Sequence, residues 1–484
     1  MSTPTRLSHA LTAALAVLLL LASCAKNPVT GKRQLAISEE SEIAMGKQSD
    51  PQIVATMGVY DDDELQAFIN RLGQAMAAES HRPNLDWTFR IVDSDVVNAF
   101  AVPGGYLYFT RGILAHFNNE AEFAGVLGHE IGHVTARHSA AQIRKQQVAQ
   151  VGMIAGALAS NTVRQNFDAV NQGMQLLFLK YGRDAESQSD ELGVEYSTDL
   201  GYDANYMAGF FETIGRLQQE AGVDIPSFLS THPDPANREQ RVRRLAEKYQ
   251  AAHPGEEDEV GRESYLRLID GIIYGKDPKQ GFVEGGMFYH PVLRFKFAVP
   301  QGFAVANSPQ AVQMQAPEGD AAVIFSLAQG ETPEQAAQAW AQQNQVQPQR
   351  GGATRINGMD AYQLSGRAGD GQQSPLIDYA ATFIAYGGNI YNFTTIAVAQ
   401  RASRYASTLS RTVESFDELR DPRYLNREPE RVAVKRVPAN TTLQAFLQQQ
   451  GTPADRMTEL AILNGMELNT PLQAGAFVKT VERG

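Results

Sequence analysis

The sequence predicts an α+β chain in three parts: a mainly helical domain with a small sheet, a small α/β domain, and a short C-terminal module. Three observations lead there. Apolar residues recur at helical spacing through residues 39–78 and again beyond 120, the pattern of helices with one buried face. Between them lie β-rich runs joined by Pro103-Gly104-Gly105, a hairpin signature. Composition then changes near Ala251, after which strand-like runs dominate. At 484 residues the chain exceeds one ordinary domain, so several are expected.

At the N-terminus, Arg6 and His9 precede an apolar run from Leu15 to Ala22, which ends on Leu21-Ala22-Ser23-Cys24. A basic start, a short apolar core and small residues before a break are the anatomy of a secretory signal. The run is shorter than the roughly 20 apolar residues a membrane span needs. The segment resembles a bacterial lipoprotein signal, which implies a signal peptide at 1–23 and lipid on Cys24. Cys24 is the only cysteine, so disulfides play no part. By the same resemblance, Ala25 after the cysteine implies the outer membrane, with the body in the periplasm.

Residues 24–250 form the first domain. Its opening to about Ser38 is polar and extended. Helices follow over Glu39 to Met57 and Asp61 to Ala78, the second with Leu65, Phe68, Ile69 and Leu72 on one face and acidic residues at its start. Trp87 to Val92, Asn98 to Val102 and Tyr106 to Phe109 read as strands. Glu120 to about Gln150 reads as one helix, followed by apolar stretches at Val151 to Ser160 and Met174 to Leu179 and then an acidic helix around Glu191.

Residues 251–285 are read as a linker, on the strength of Pro254-Gly255-Glu256-Glu257-Asp258-Glu259. In 286–425, Phe288 to Val299 and Ala321 to Leu327 look like strands, Pro333 to Gln343 like a helix, and Ala380 to Ala397 like a strand pair around Gly387-Gly388. This domain shows no cluster of ligands or nucleophiles. In 430–484, two short helices, Thr442 to Gln449 and Met457 to Asn464, are flanked by strands. That pattern resembles the small glycan-binding LysM fold, which implies peptidoglycan contact; a plain packing module fits the pattern as well.

The composition is that of an ordinary globular protein, 43% apolar and 20% charged. A net charge of −12 without a basic stripe excludes a nucleic-acid partner.

The informative segment is Gly128-His129-Glu130-Ile131-Gly132-His133. Residues four apart share a helix face, so both imidazoles can address one ion. Catalytic zinc takes three protein ligands plus water, and Glu130 stands beside that water, placed to take its proton. The third ligand lies elsewhere. Ala136 and Ser139 fill the positions of a continued histidine run. His138 points away from the His129/His133 face on a continuous helix and is read as packing or ligand support. The better candidate is Glu186, with Asp190 four residues on and placed to accept a ligand histidine's free N–H.

His-Glu-x-x-His followed by Glu-x-x-x-Asp resembles the gluzincin metallopeptidase family of the CAAX prenyl protease. Further matches are Asn27-Pro-Val-Thr-Gly-Lys-Arg-Gln34, Asn98-Ala-Phe-Ala with Pro103-Gly-Gly105, and Thr231-His-Pro233. The resemblance covers residues 26 to 250. It implies one zinc held by His129, His133 and Glu186, with Glu130 as catalytic base. The prenyl proteases have several membrane spans, which this chain lacks. It therefore resembles the soluble periplasmic branch of that family, which includes the β-barrel assembly-enhancing protease, whose helical-repeat domain is not seen in this sequence.

The resemblance extends to a substrate-pairing strand at Asn98, Ala99 and Phe100, with Gly105 in the turn; Tyr106 to Phe109 is the alternative edge. It also brings His232 and Arg238 near the reaction centre. His232 would either fill the open coordination position, leaving the enzyme latent, or donate to the oxyanion. The expected activity is zinc endoproteolysis of misfolded or stalled outer-membrane or periplasmic proteins. Competing readings are an envelope assembly chaperone or scaffold with a silent zinc site, and a wall-binding protein acting through residues 430–484.

Overall fold

The computed structural model describes residues 24–157, 180–221, 227–232, 238–252, 259–369 and 375–483. The signal peptide at 1–23, the side chain of Cys24, the end of the stretch Val151 to Ser160, the stretch Met174 to Leu179, Pro233 and Pro254 to Asp258 lie outside the described residues. Two compact units are present. The first joins Gly58–Gly275 and Arg431–Glu482 with the N-terminal segment to Val54; the second is built on Lys276–Glu430.

The first unit begins with a short antiparallel pair, β1 (Cys24–Lys26) and β2 (Arg33–Leu35). Helix α1 (Glu39–Met57) is capped by the Ser38 side chain and α2 (Asp63–Glu79) by Asp62, each accepting from a backbone N–H three residues on. A three-stranded sheet follows in the order β3 (Thr88–Val92), β5 (Tyr106–Thr110), β4 (Ala99–Val102). β4 and β5 form the expected hairpin, and β3 joins β5 in parallel. Gly104 and Gly105 turn the hairpin at φ +89 and +96, where other residues are strained.

Helix α3 (Arg111–His116) leads into α4 (Glu120–Thr135), which Asn119 caps. The expected single helix to Gln150 is broken: Arg137 is left-handed at φ +61, and α5 (His138–Ala157) starts afresh. Then come α6 (Arg183–Asp199), α7 (Asn205–Ala221), α8 (Ser227–Thr231) and α9 (Arg238–Ala252). The stretch read as a linker instead contributes α10 (Arg262–Leu268) and β6 (Ile273–Tyr274), because Tyr265, Leu266, Ile269, Ile272 and Ile273 are buried in this unit's core.

The second unit holds an antiparallel sheet of seven strands in the order β10-β11-β12-β16-β15-β14-β13 and a four-stranded sheet in the order β17-β9-β8-β7. Their bounds are β7 (Phe282–Glu284), β8 (Met287–His290), β9 (Phe295–Ala298), β10 (Ala304–Asn307), β11 (Ala311–Gln315), β12 (Ala321–Ala328), β13 (Arg350–Ile356), β14 (Met359–Ala368), β15 (Ile377–Tyr386), β16 (Asn389–Val398) and β17 (Asp417–Glu418). Its helices are α11 (Pro333–Gln343), α12 (Ala402–Glu414) and α13 (Pro422–Leu425).

The chain then returns to the first unit. β18 (Glu430–Arg436) and β21 (Phe477–Arg483) form one sheet with β6. Between them lie α14 (Leu443–Gln449) and α15 (Met457–Leu463), with the short pair β19 (Thr441–Thr442) and β20 (Pro471–Leu472). This segment is no appendage. Phe446, Leu447, Leu460 and Val478 belong to the same core as Phe117 and Phe123. Lys479, fully buried, donates from Nζ to Ala115 O at 2.8 Å and Phe117 O at 2.9 Å, just ahead of α4. Among the described residues no helix is long and apolar enough to cross a membrane.

Candidate metal centre

Helices α4 and α6 meet through glycine. A Cβ on Gly193 would lie 2.9 Å from Gly125 O and 3.1 Å from His129 N, and one on Gly128 would lie 3.0 Å from Gly193 Cα. Only bare backbone allows this approach, and it brings His129 and His133 on α4 against Glu186 and Asp190 on α6. Neither contact depends on the polar residues themselves, so the site sits on a rigid crossing.

Donor atoms of His129, His133, Glu186 and His232 lie within 4.8 Å of one another, and all four residues are buried. His129 Nε2 is 3.0 Å from His133 Nε2 and 3.3 Å from His232 Nδ1. Glu186 Oε1 is 3.4 Å from His133 Nε2 and 3.2 Å from His232 Nδ1, and Glu186 Oε2 is 3.6 Å from His129 Nε2. Tetrahedral zinc with bonds of about 2.0 Å separates its ligand atoms by about 3.3 Å. The donor set, three imidazole nitrogens and a carboxylate at those spacings, fits that ion. Burial holds His133 well below the usual imidazole range, so its ring is neutral and its lone pair free to ligate.

Glu130 is completely buried, and neither of its carboxylate oxygens has a hydrogen-bond partner. Burial raises its pKa, opposed in part by His232 and His129. Burial thus makes this carboxylate a stronger proton acceptor than an exposed one. His232 Nε2 lies 3.5 Å from Glu130 Oε1, so this one ring faces the donor set with Nδ1 and Glu130 with Nε2. His232 directly follows α8, where its backbone N–H donates to Phe228 O at 2.8 Å and its ring stacks on Phe228. The Tyr181 N–H ties the preceding residue, Thr231, through its carbonyl at 3.3 Å.

Around the donor set lies a ring of supports. Asp190 Oδ1 is 2.9 Å from His129 Nδ1. Arg238 Nη2 donates to the same Asp190 oxygen at 2.7 Å, and Arg241 pairs with Asp190 Oδ2. Burial alone would push the Asp190 carboxyl up, but Arg238 and His129 outweigh it and hold the group below its usual value. Arg238 is also 3.8 Å over the Phe211 ring and 3.4 Å from Glu186 Oε2. Tyr181 stacks on His133 with ring centres 3.9 Å apart. The motif reading missed Tyr181 and Arg241. Nothing marks Tyr181 in the sequence, whereas Arg241 lies one helical turn from Arg238 and shares its face.

Asn98, Ala99, Phe100 and Gly105 do not belong to the donor set; they lie on the three-stranded sheet and its hairpin turn. β4 is an edge of that sheet and β5 is central. Ala99 and Phe100 are buried, Phe100 stacks on Tyr108, and Asn98 Oδ1 is buried with no hydrogen-bond partner. At Gly105 a Cβ would come 3.3 Å from Asp86 O.

Residues 63–246 match the model of Peptidase family M48. A mitochondrial metalloendopeptidase OMA1 of Arabidopsis thaliana is 33% identical over 185 residues, which are 37% of this chain and 36% of that protein. A putative beta-barrel assembly-enhancing protease of Vibrio cholerae is 32% identical over 199 residues, 40% of this chain and 41% of that protein. The beta-barrel assembly-enhancing protease of Yersinia pestis is 27% identical over 249 residues, 50% of each chain. The chain thus spans half or less of the length of these curated relatives.

Proposed function

We propose that the chain, whose residues 63–246 match the model of Peptidase family M48, is a zinc-dependent endopeptidase of the cell envelope. Its substrates on this reading are misfolded or stalled outer-membrane or periplasmic proteins, the class suggested by the names of the assembly-enhancing relatives. The observation that carries the reading is a donor set of zinc geometry beside a buried carboxylate, Glu130, neither of whose oxygens is hydrogen-bonded.

His129, His133 and Glu186 would hold the zinc, which would supply Lewis acidity to the reaction. The chain's own residues do the rest. Glu130 takes the water's proton on a carboxylate oxygen and returns it to the leaving nitrogen. Asp190, fixed by Arg238 and Arg241, accepts the His129 Nδ1–H and so keeps Nε2 turned to the metal. An extended substrate pairs along β4, at whose start Asn98 Oδ1 accepts one of its N–H groups.

His232 closes the site in the resting protein on this proposal. Its Nδ1 occupies the fourth donor position, and its Nε2 lies 3.5 Å from Glu130 Oε1. Cys24 carries the lipid that anchors the body to the outer membrane. Residues 430–484 are proposed to contact peptidoglycan, which a pull-down of full-length protein by sacculi tests.

The central test is cleavage of an unfolded, fluorescently labelled protein by zinc-loaded wild type, Glu130→Gln and His232→Ala. Glu130→Gln should lose about 10²–10⁴-fold in rate. His232→Ala should cleave faster than wild type; a slower rate would assign the ring to the oxyanion instead, and an unchanged rate would remove both roles. Equal rates for wild type and Glu130→Gln would sink the peptidase reading in favour of a scaffold.

A further inference from the structure

His138 has no part in the reaction proposed above, yet the chain is bent to bring it to the site. Arg137 holds a left-handed conformation at φ +61, which strains any residue with a side chain of this size. Partners outside the helix hold it there: Arg137 Nε donates to Glu42 Oε2 at 2.8 Å and Nη2 to Ile37 O at 2.8 Å. Had α4 run on, His138 would stand five residues from His133, about 140° round the axis. In the break it turns back instead. His138 Nδ1 comes 3.1 Å from His133 Nδ1, His138 Nε2 is 3.0 Å from Gln188 Oε1, and Ser189 Oγ is 3.2 Å from His138 Nδ1.

The protons in this chain of contacts follow from its two ends. His133 turns Nε2 to the donor set, so with metal there its proton sits on Nδ1. Gln188 Oε1 only accepts, so His138 carries its own proton on Nε2 and presents a bare Nδ1 to His133. Turning the Gln188 amide round would place the His138 proton on Nδ1, and two N–H groups would then face each other at 3.1 Å.

We infer that His138 is a positioning residue for the metal: its unprotonated Nδ1 accepts the His133 Nδ1–H and fixes the ring orientation and tautomer in which His133 ligates. This rests on the zinc reading above. It also makes the two histidines unequal. His129 is backed by the carboxylate of Asp190, His133 by a neutral imidazole, and a carboxylate raises a ligand's basicity more. His133 is therefore the weaker donor of the pair, and its backing draws on three helices: α4, α5 through His138, and α6 through Gln188 and Ser189.

The test measures zinc dissociation constants by chelator competition on the full chain as wild type, His138→Phe and His138→Gln, together with ring ¹⁵N spectra of zinc-loaded wild type. Phenylalanine fills the space without an acceptor, while glutamine restores a carbonyl oxygen. The expected result is zinc binding weakened about 10–100-fold in His138→Phe, largely recovered in His138→Gln, with His138 resonating as the Nε2–H tautomer. Wild-type affinity in folded His138→Phe, or an Nδ1–H tautomer for His138, would overturn the inference. If His138→Phe does not fold, the wild-type spectrum decides. A wild-type protein that takes up no zinc contradicts the metal reading itself, which is a separate outcome.

Discussion

The two units bury different chemistry. The interior of the first holds His129, Glu130, His133, Glu186, Asp190, His232 and Arg238, none more than 3% exposed. It also encloses the separate Glu42–Arg82–Arg137 group and the buried amino group of Lys479. The core of the second is built on Phe288, Phe295, Phe297, Phe325, Phe393 and Phe416. Its buried Asp320 sits at the rim, met by Arg401 and Tyr405. Burying charge is costly even when paired, and a phenylalanine core reaches the same stability without it. The buried charge gathered around the donor set therefore marks where chemistry, rather than stability, selects the residues, while the Glu42 group holds the helix break at Arg137.

Four substitutions sharpen or break that contrast. Asp190→Ala removes the carboxylate that both Arg238 and Arg241 meet in the interior, so unfolding free energy should fall by about 3–5 kcal/mol, with weaker zinc binding. Urea unfolding with and without zinc reads both, and undiminished zinc affinity would break the link between Asp190 and His129. Phe297→Ala in the second unit should cost a comparable ~3–5 kcal/mol, with zinc affinity per folded molecule unchanged. A change in affinity there would erase the division between the units.

Gly193→Ala forces a methyl against Gly125 O at the helix crossing, an overpacking expected to cost about 1–3 kcal/mol and to loosen the donor set. Chelator competition should register weaker zinc; unaltered binding would show that the crossing tolerates a shift. The exposed pair Arg267–Glu263 provides the floor. Arg267→Ala should move stability by less than about 0.5 kcal/mol by thermal unfolding.

What can be read from the chain alone follows locality. The spacing of His129 and His133, the acidic start of the helix that Asp62 caps, the hairpin at Gly104-Gly105 and the strand pair around Gly387-Gly388 depend on neighbours a few residues away, and all are visible in the sequence. Glu186 has no local signal tying it to His129, and its place as a ligand rests on the resemblance. The α4 break at Arg137 is hidden because no glycine or proline marks it; its cause is Glu42, 95 residues earlier. The same holds for residues 259–275, whose isoleucines find their core only when Val432 and Val437 return to it. Lys479, which closes the end of α3 from 362 residues away, reads like an ordinary surface lysine on a terminal strand.

The metal centre is tested most directly by zinc-edge X-ray absorption on the purified protein. Three nitrogen ligands and one oxygen in resting wild type, falling to two nitrogens with added oxygen in His232→Ala, is the predicted result. A protein without zinc, or a shell identical in wild type and His232→Ala, would contradict it.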